Sequence, residues 1–459
     1  MPPRDPPVHD AVTAVLTHGA DVYITRRQPY LAAFPGYWAF PGGKVDATDL
    51  DTPLDADLRA GFLGAQPPRL LRALARELSE EIGLDLFAAV RAGQVRSLAL
   101  LGEVTTPAFA QLRYRTWCYR VDFRERPALT LHPAEASHEE WAPAGLLRER
   151  FERGSLLVAP PTRAIIERLA AHPDADTVPG LVLPQVFESV VPWTEPLAGL
   201  RILLVRSQTL PPADRTNAFL IGDPGARRVL VDPSPIDDAE LERLAAVAEE
   251  LGGVDEIFLT HHHPDHRDRA DVLARRWRVP LGMSADTHQR IAQKTGGRFF
   301  EGVETRTYRE GDRLTEWLGE PVLLHEVPGH DEGQLAPMPR CRQWCVVGDL
   351  IQGIGTVVIA APEGHMGKYF RSLGRVIADD PAVIVPSHGL ALGGTHYLKQ
   401  TLAHRRAREQ QVRALHAAGK SPAEMVPAIY PRLDPLLLPL ARMNVDSHLQ
   451  KLREEGAIG

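Results

Sequence analysis

The sequence predicts a multidomain chain of α/β and α+β class, on three observations. Its 459 residues correspond to about three domains at roughly 150 residues each. Strand-like and helix-like segments alternate in two successive stretches, one ending near residue 175 and one starting near residue 198. From about Thr395 the chain reads as helical, with a Pro-rich break at 427–439. Apolar residues make up 44% and charged residues 24%, which excludes a collagen-like or wholly disordered chain. The formal net charge of −7 gives no global sign of nucleic-acid binding, although a local basic groove is compatible with it. Three cysteines, Cys118, Cys341 and Cys345, cannot build a disulfide framework and point to a reducing compartment. Cys341 and Cys345 read as core residues of one strand. The opening MPPRDPPVHD lacks a signal-peptide core and no apolar run spans a bilayer, so the expectation is a cytoplasmic protein with no membrane partner.

Each element follows from its pattern. AVTAVLTHG and DVYITRR alternate as strands, and FPGYWAFPGGKVD is a Gly/Pro turn region. Residues 46–68, rich in Asp, Pro and Ala, read as a loop or insertion. Leu70, Leu71, Leu74, Leu78 and Ile82 predict a helix over 69–83, stopped by Gly83. SLALLGEVTT and RYRTWCYRVDF return to strand, and two helical segments close the unit. The Pro-rich 176–197 reads as a linker. RILLVRSQ, TNAFLIGD and ARRVLVDPS are successive strands. PIDDAELERLAAVAEELG is an amphipathic helix capped at Asp237 or Asp238. The expected domains are 1–175 (insertion at about 50–68), a linker at 176–197, 198–400, and a helical tail at 401–459.

Residues 76–84 read RELSEEIGL. Helical spacing crowds Glu77, Glu80 and Glu81 on one side of a helix. A solvated charged face is the bland explanation; the alternative is neutralisation by a hard cation such as Mg²⁺ or Mn²⁺, which takes oxygen ligands. Placed after FPGGKVD, the string resembles the Nudix box, G-x5-E-x7-R-E-U-x-E-E-x-G-U. Arg76, Glu77, Leu78, Glu80, Glu81, Gly83 and Leu84 match every specified position of its second half. The first half departs: Asp49 stands where the box has glutamate, and 26 residues separate it from Arg76 where the box has seven. The resemblance implies an α/β/α sandwich with Mg or Mn held by Glu77, Glu80 and Glu81. Arg76 would orient the carboxylates, and Glu139 or Glu140 would supply a later one. The interruption and TTPAFAQLRYRT look similar to Nudix proteins related to coenzyme A pyrophosphatases, which implies a nucleoside-diphosphate-linked, nucleotide-like small-molecule substrate.

Residues 260–266 read THHHPDH, directly after the apolar strand VDEIFLT. His261, His263, Asp265 and His266 fit H-x-H-x-D-H. A turn after a strand can aim several side chains into one cavity, and imidazoles with a carboxylate suit Zn²⁺, with Fe and Mn as alternatives. Open positions on such a metal acidify water. The pattern resembles the metallo-β-lactamase fold family, whose later motifs follow in order: Asp232 in VLVDPS precedes, then His330 in EVPGHDEG, Asp349 in CVVGDL and His388 in VPSHG. The resemblance implies an αββα sandwich with two divalent metal ions. His261, His263 and His330 would hold one, Asp265, His266 and His388 the other, and Asp349 would bridge them. Asp265 would also orient the nucleophile, and Asp232 would support the ligands. His262 falls between ligand positions, His325 reads as a strand residue, and His365 as a loop residue near the rim. Arg267, Asp268 and Arg269 stand where the family carries small residues.

The tail YLKQTLAHRRAREQQVRAL is similar to the lactamase-beta-like, endoribonuclease-like branch, which implies a winged-helix-like tail and single-stranded RNA as substrate; the wider fold also serves thioester and lactam hydrolysis, so a thioester or ester is the other expectation. His404, Arg405, Arg408 and Glu409 form the tail signature of that branch; the reading preferred is that they tie the tail to the core rather than touch RNA. Arg267, Arg269, Arg275, Arg276 and Lys368 are the candidates for a local basic patch. The functional expectation is a bifunctional metal-dependent hydrolase, with a non-catalytic, ligand-binding Nudix half as the alternative.

Overall fold

The computed structural model describes residues 7–59, 62–107, 112–181 and 190–459. Parts of the expected insertion (60–61), of TTPAFAQLRYRT (108–111) and of the expected linker (182–189) lie outside the described residues. The chain divides into two compact units, Met1–Val186 with Pro196–Ala198, and Phe187–Glu195 with Gly199–Gly459. Among the described residues no helix is long and apolar enough to cross a membrane.

In the first unit, strands β1 (Val8–His18), β2 (Asp21–Arg27), β3 (Trp38–Ala39), β4 (Gly42–Lys44), β5 (Val95–Thr105), β6 (Arg113–Phe123) and β7 (Ala136–Pro143) form one mixed sheet. Its path is β3-β2-β1-β6-β5, with β4 paired to β1 and β7 to β2. Only β1 and β6 run parallel, from Val8 opposite Arg113 to Thr17 opposite Asp122. Alternate side chains of a strand face opposite ways, so β1 sends Val12, Ala14 and Leu16 to one core and Val15 to the other. Helices α1 (Ala56–Arg59), α2 (Pro68–Ile82) and α3 (Leu86–Arg91) follow β4. α2 buries Leu70, Leu71, Leu74, Leu78 and Ile82 against the first face. Gly83, with φ 67°, ends it and returns its N–H to Ser79 and Leu78 carbonyls, the αL stop that glycine takes without steric cost. Helices α4 (Ala144–Glu152) and α5 (Pro160–Ala171) cover the second face with Leu147, Phe151, Ile165, Ile166 and Leu169. The result is helix, sheet, helix. The 46–68 stretch is more than a loop: Leu54, Leu58 and Leu63 are buried in the α2 core, because three leucines amid the Asp and Pro have an apolar face to cover. Within the expected linker, Val178 and Leu181 likewise pack into the second-face core.

In the second unit, β8 (Trp193–Leu197), β9 (Leu200–Arg206), β10 (Arg215–Ile221), β11 (Val229–Val231), β12 (Glu256–Phe258), β13 (Leu281–Ser284) and β14 (Thr305–Tyr308) line up in sequence order in one sheet. β11 to β14 run parallel. Helices α6 (Asp238–Glu250), α7 (Pro264–Arg267), α8 (Ala270–Trp277) and α9 (Ala285–Thr295) connect them. α6, α8 and α9 bury Leu241, Leu244, Leu273 and Ile291 on Leu203, Val205, Leu220 and Leu230. Two further sheets are β15 (Arg313–Trp317), β16 (Glu320–Glu326) and β17 (Leu335–Pro339), and β18 (Cys345–Gly348), β19 (Val383–Pro386) and β20 (Leu392–Gly393). Helices α10 (Met366–Asp379) and α11 (His396–Ala417) cover them, with Tyr369, Leu373 and Leu398 on Ala336, Met338, Val347 and Ile384. Ile202, Phe219, Val231 and Phe258, on the faces turned from α6 and α8, are also fully buried, as the double-sheet layering requires. Cys345 is buried on β18, but Cys341 is exposed in the preceding turn; the two do not share a strand, because β17 ends at Pro339 and the chain reverses before Trp344.

α12 (Pro422–Ile429) and α13 (Leu438–Glu454) complete the tail. α11, α12 and α13 share a core of Val412, Met425, Val426, Val445, Leu449 and Leu452. Ser421 and Glu424 form a reciprocal capping box at the start of α12. Glu409 of α11 lies beside His448 Nδ1 at 3.4 Å and accepts from Lys451 Nζ at 2.9 Å, both on α13. Burial alone would raise its pKa, but these two partners hold it below the ordinary 4.5. A folded-state pKa below the unfolded one stabilises fully above the unfolded value, and the gain is lost as pH falls through the folded value. Glu409→Gln is therefore expected to cost about 1–3 kcal/mol at pH 7 and less at pH 3, measured by urea unfolding at both.

Candidate metal centre

The parallel strands deliver chemistry at their carboxyl ends, where open α/β sheets bind ligands. Asp232 follows β11, His261 lies just past β12, Asp349 follows β18 and His388 follows β19. The β12 extension runs into α7, whose Pro264 starts a single helical turn that carries Asp265 and His266. Asp232 holds φ 50°, a left-handed conformation that costs a non-glycine residue about 1–2 kcal/mol. It is completely buried and accepts from Thr260 N at 2.7 Å, Thr260 Oγ1 at 2.6 Å and His266 Nδ1 at 2.9 Å.

The histidines converge in two groups. The rings of His261, His263 and His330 stand nearly perpendicular in pairs, with centroids 4.7–5.3 Å apart. His261 Nε2 and His330 Nε2 lie 3.0 and 2.9 Å from His263 Nδ1. The opposite nitrogens are all engaged. His330 Nδ1 donates to the Val358 carbonyl at 3.0 Å, and His263 Nε2 to Glu363 Oε2 at 3.0 Å. His261 Nδ1 meets Thr260 Oγ1 at 3.0 Å, a hydroxyl whose own proton goes to Asp232. These partners assign one proton to the far side of each ring. Three lone pairs then face one another with no proton between them. Tetrahedral ligands about 2.0–2.1 Å from a zinc ion would be about 3.3 Å apart, close to the observed spacing.

In the second group, His266 Nε2, His388 Nε2 and Asp349 Oδ1 are buried and lack a hydrogen-bond partner. Asp349 Oδ1 lies 3.6 Å from His266 Nε2 and 3.5 Å from His388 Nε2. Its Oδ2 lies 3.6 Å from His330 Nε2, so one carboxylate touches both groups. Asp265 sits 3.8 Å from His266 Nε2 and 3.6 Å from His388 Nε2. His388 Nδ1 donates to the Arg215 carbonyl at 2.9 Å. Buried imidazole nitrogens and a carboxylate oxygen left without partners around a common point fit a divalent cation.

Electrostatics act differently on the two groups of ligands. Burial, followed by its histidine neighbours, keeps His261 well below its usual pKa and lowers His330 to about 4; both are neutral, as ligands must be. Burial works against protonation of His266 as well, but Asp265, Asp349 and Asp232 outweigh it and pull its pKa up. Burial would raise Asp349, yet His388, His266 and His330 hold it far below the carboxylate range. Asp232→Ala removes the acceptor that fixes His266 and is expected to weaken metal binding roughly 10–100-fold, read by chelator competition.

The remaining histidines turn elsewhere. His262 points to Asp331 Oδ2 at 2.5 Å, Glu363 Oε1 at 3.2 Å and Lys294 Nζ at 2.9 Å. His325 lies on β16, and His365 caps α10 while its Nε2 contacts Glu454 at 2.9 Å. The candidate patch residues are ion-paired. Arg269 pairs with Asp238, Arg275 with Asp271, Arg276 with Glu242 and Glu249, and Lys368 with Glu332, while Arg267 pairs with Asp268 and lies over the Phe299 ring. Each charge thus has a carboxylate partner, on the next residue, one turn away, on another helix or in a turn. Glu363 carries no motif and lies 100 residues from His263, so its role was not visible in the sequence.

In the first unit, α2 lays its carboxylates along β4. Gly43 leaves room for Glu77: a Cβ there would stand 2.5 Å from the Glu77 carboxylate and displace it. Glu81 accepts from Gly42 N at 2.9 Å, and burial lifts its pKa to about 7. Arg76 grips Asp49 through Nε at 3.2 Å and Nη2 at 3.0 Å, Glu77 at 2.9 Å and Glu80 at 3.2 Å. Asp49 is therefore brought to Arg76 across the long interruption. Glu80 is 60% exposed. Glu139 accepts from Tyr23 Oη, while Glu140 pairs with Arg150. Among the described residues, groups of three ligands within chelating reach occur only in the second unit.

Family models match along the chain: the NUDIX domain over residues 7–157, the metallo-beta-lactamase superfamily over 211–388, and the beta-lactamase associated winged helix domain over 421–458. The beta-lactamase-like protein 2 homolog of Drosophila melanogaster is 26% identical over 269 residues, covering 53% of this chain and 84% of that protein. A hydroxyacylglutathione hydrolase of Bdellovibrio bacteriovorus is 25% identical over 185 residues, 39% of this chain and 64% of that protein. A β-lactamase domain protein from Burkholderia ambifaria, solved by crystallography, matches with a TM-score of 0.49 at 26% identity, covering 57% of this chain and 88% of that one. The chain thus carries a Nudix domain followed by a metallo-β-lactamase superfamily domain with its associated winged helix, and it is a metal-dependent hydrolase.

Proposed function

We propose that the lactamase-fold unit hydrolyses a thioester or ester and that the Nudix unit cleaves a nucleoside-diphosphate-linked pyrophosphate. The observation that carries the first part is the pair of ligand groups, His261/His263/His330 and Asp265/His266/His388, with Asp349 within 3.6 Å of His330, His266 and His388. Two divalent ions bound there, zinc first and iron or manganese as alternatives, would supply Lewis acidity and a nucleophile from water at neutral pH. The protein's part is to hold the ligands. Thr260, Glu363, the Val358 and Arg215 carbonyls and Asp232 fix the five rings. Asp265, with a side chain 17% exposed, would orient the attacking group.

Neutralisation of the arginines and Lys368 by carboxylates favours an acyl substrate over single-stranded RNA, whose binding draws on unpaired positive charge. Leu390, exposed two residues beyond His388, adds an apolar group to that margin, and one relative bears the name of a thioester hydrolase. The test is a panel of acyl-glutathione and acyl-coenzyme A thioesters, labelled single-stranded RNA, nucleotide sugars and coenzyme A, with the metal-loaded chain. Thioester hydrolysis with intact RNA is expected; RNA cleavage with intact thioesters would overturn the acyl reading.

For the Nudix unit, Mg or Mn would lie against Glu77 and Glu81, with Glu80 closing the set. A second reading, a ligand-binding module without catalysis, is favoured by one observation: Arg76 engages Glu77 and Glu80, and Glu80 faces solvent.

A further inference from the structure

We propose that the winged-helix tail is a positioning element of the metal centre, acting through Arg405 and Asn444 on the backbone that orients His330. The inference rests on His330 being a metal ligand. Arg405 of α11 and Asn444 of α13 are both buried, and Arg405 Nη1 donates to Asn444 Oδ1 at 3.1 Å. Arg405 Nη2 also donates to the Val357 carbonyl, and Ile359 N donates to Asn444 Oδ1 at 3.1 Å. The tail thus takes the backbone groups on either side of Val358. The Val358 carbonyl is the one that receives His330 Nδ1.

The same arginine reaches the centre by a second route. Its guanidinium lies 5.7 Å from the Tyr369 ring centroid. Tyr369 Oη donates to the Leu350 carbonyl at 2.8 Å, the residue after Asp349. Further along the same loop, Glu363 receives His263 Nε2, and His365 meets Glu454 of α13. Residues 357–365 are therefore held by the tail at three points while contacting two rings of one metal group. A charged guanidinium buried at 4% exposure is costly unless each donor is matched; Leu398 and Leu402 already seat α11 in the apolar core under the second sheets without it.

Because His330 and His263 belong to one metal group, loosening this clamp should weaken that ion and spare the other. The experiment is zinc binding to the full chain by chromogenic-chelator competition, with the visible spectrum of the cobalt-loaded protein as the signature of coordination. Asn444→Leu and the milder Arg405→Lys are compared with His330→Ala and with Leu449→Ala, which loosens the tail core outside the clamp. The expected result is a roughly 10–100-fold loss of affinity for one zinc equivalent and an altered cobalt spectrum in Asn444→Leu. Asn444→Asp, which keeps the acceptor, should restore both, and Leu449→Ala should lower Tm with wild-type zinc affinity. Wild-type zinc binding in Asn444→Leu and Arg405→Lys, or an equal loss in Leu449→Ala, would overturn the proposal. If His330→Ala also binds two zinc ions normally, it is the assignment of His330 that fails, not the clamp alone.

Discussion

His263→Ala is expected to abolish hydrolysis at the lactamase-fold site, lowering kcat/KM by roughly 10²–10⁴, the equivalent of several kcal/mol of lost charge stabilisation. The magnitude follows from its position. His263 Nδ1 is the nearest neighbour of both His261 Nε2 and His330 Nε2, so its loss opens one whole metal group. Its Nε2 is also the partner of Glu363, whose carboxylate is held below its usual pKa by that hydrogen bond above all, with Lys294 assisting. Removing the imidazole leaves Glu363 to Lys294 and His262 alone. Tm should change little in the metal-free protein, since His263 is partly accessible. Steady-state kinetics on the best thioester, beside a metal-free melt, separate lost chemistry from lost fold. Activity within threefold of wild type would remove His263 from the ligand set.

Glu81→Gln should abolish the pyrophosphatase reaction by about 10²–10³-fold, a few kcal/mol of lost electrostatic stabilisation, and leave thioester hydrolysis unchanged. Glu81 is the most buried of the three glutamates, and burial pushes its pKa up to about 7. Glutamine keeps the shape and the acceptor for Gly42 N but removes the charge that a hard cation requires. The assay is release of the nucleotide and of the partner phosphate monoester from nucleotide sugars and coenzyme A with Mg²⁺ or Mn²⁺. Absence of turnover in the wild-type chain, with ligand binding retained and altered by Glu81→Gln, would establish the binding-module reading instead.

How much of this was legible in the sequence depends on how local the cause is. H-x-H-x-D-H is readable because one turn after β12 presents its side chains together. Asp232, Asp349 and His388 are readable because each ends or follows an apolar strand, and strand ends gather at one edge of a sheet. The helix over 69–83 appears almost as the leucine spacing predicts. What was hidden involves partners far apart in the chain. Glu363 meets His263, and Arg405 reaches Val357, only after the second sheet and the tail have packed. The basic residues looked like a patch because their neutralising partners, Asp238, Glu242 and Glu332, lie on other turns and helices. The interrupted loop hid Leu54, Leu58 and Leu63 among residues of turn-like composition, and the Asp49–Arg76 pair across it was visible only through the family pattern.

The central claim is a binuclear centre in the lactamase-fold unit, and counting its metal tests that most directly. The chain is stripped with chelator, reloaded with zinc or iron, desalted, and analysed for elements per chain. Two tightly held equivalents are expected in the wild type and in Glu81→Gln, with His266→Ala/His388→Ala retaining about one. One equivalent or none in the wild type, or two that persist when His266 and His388 are both replaced, would contradict it.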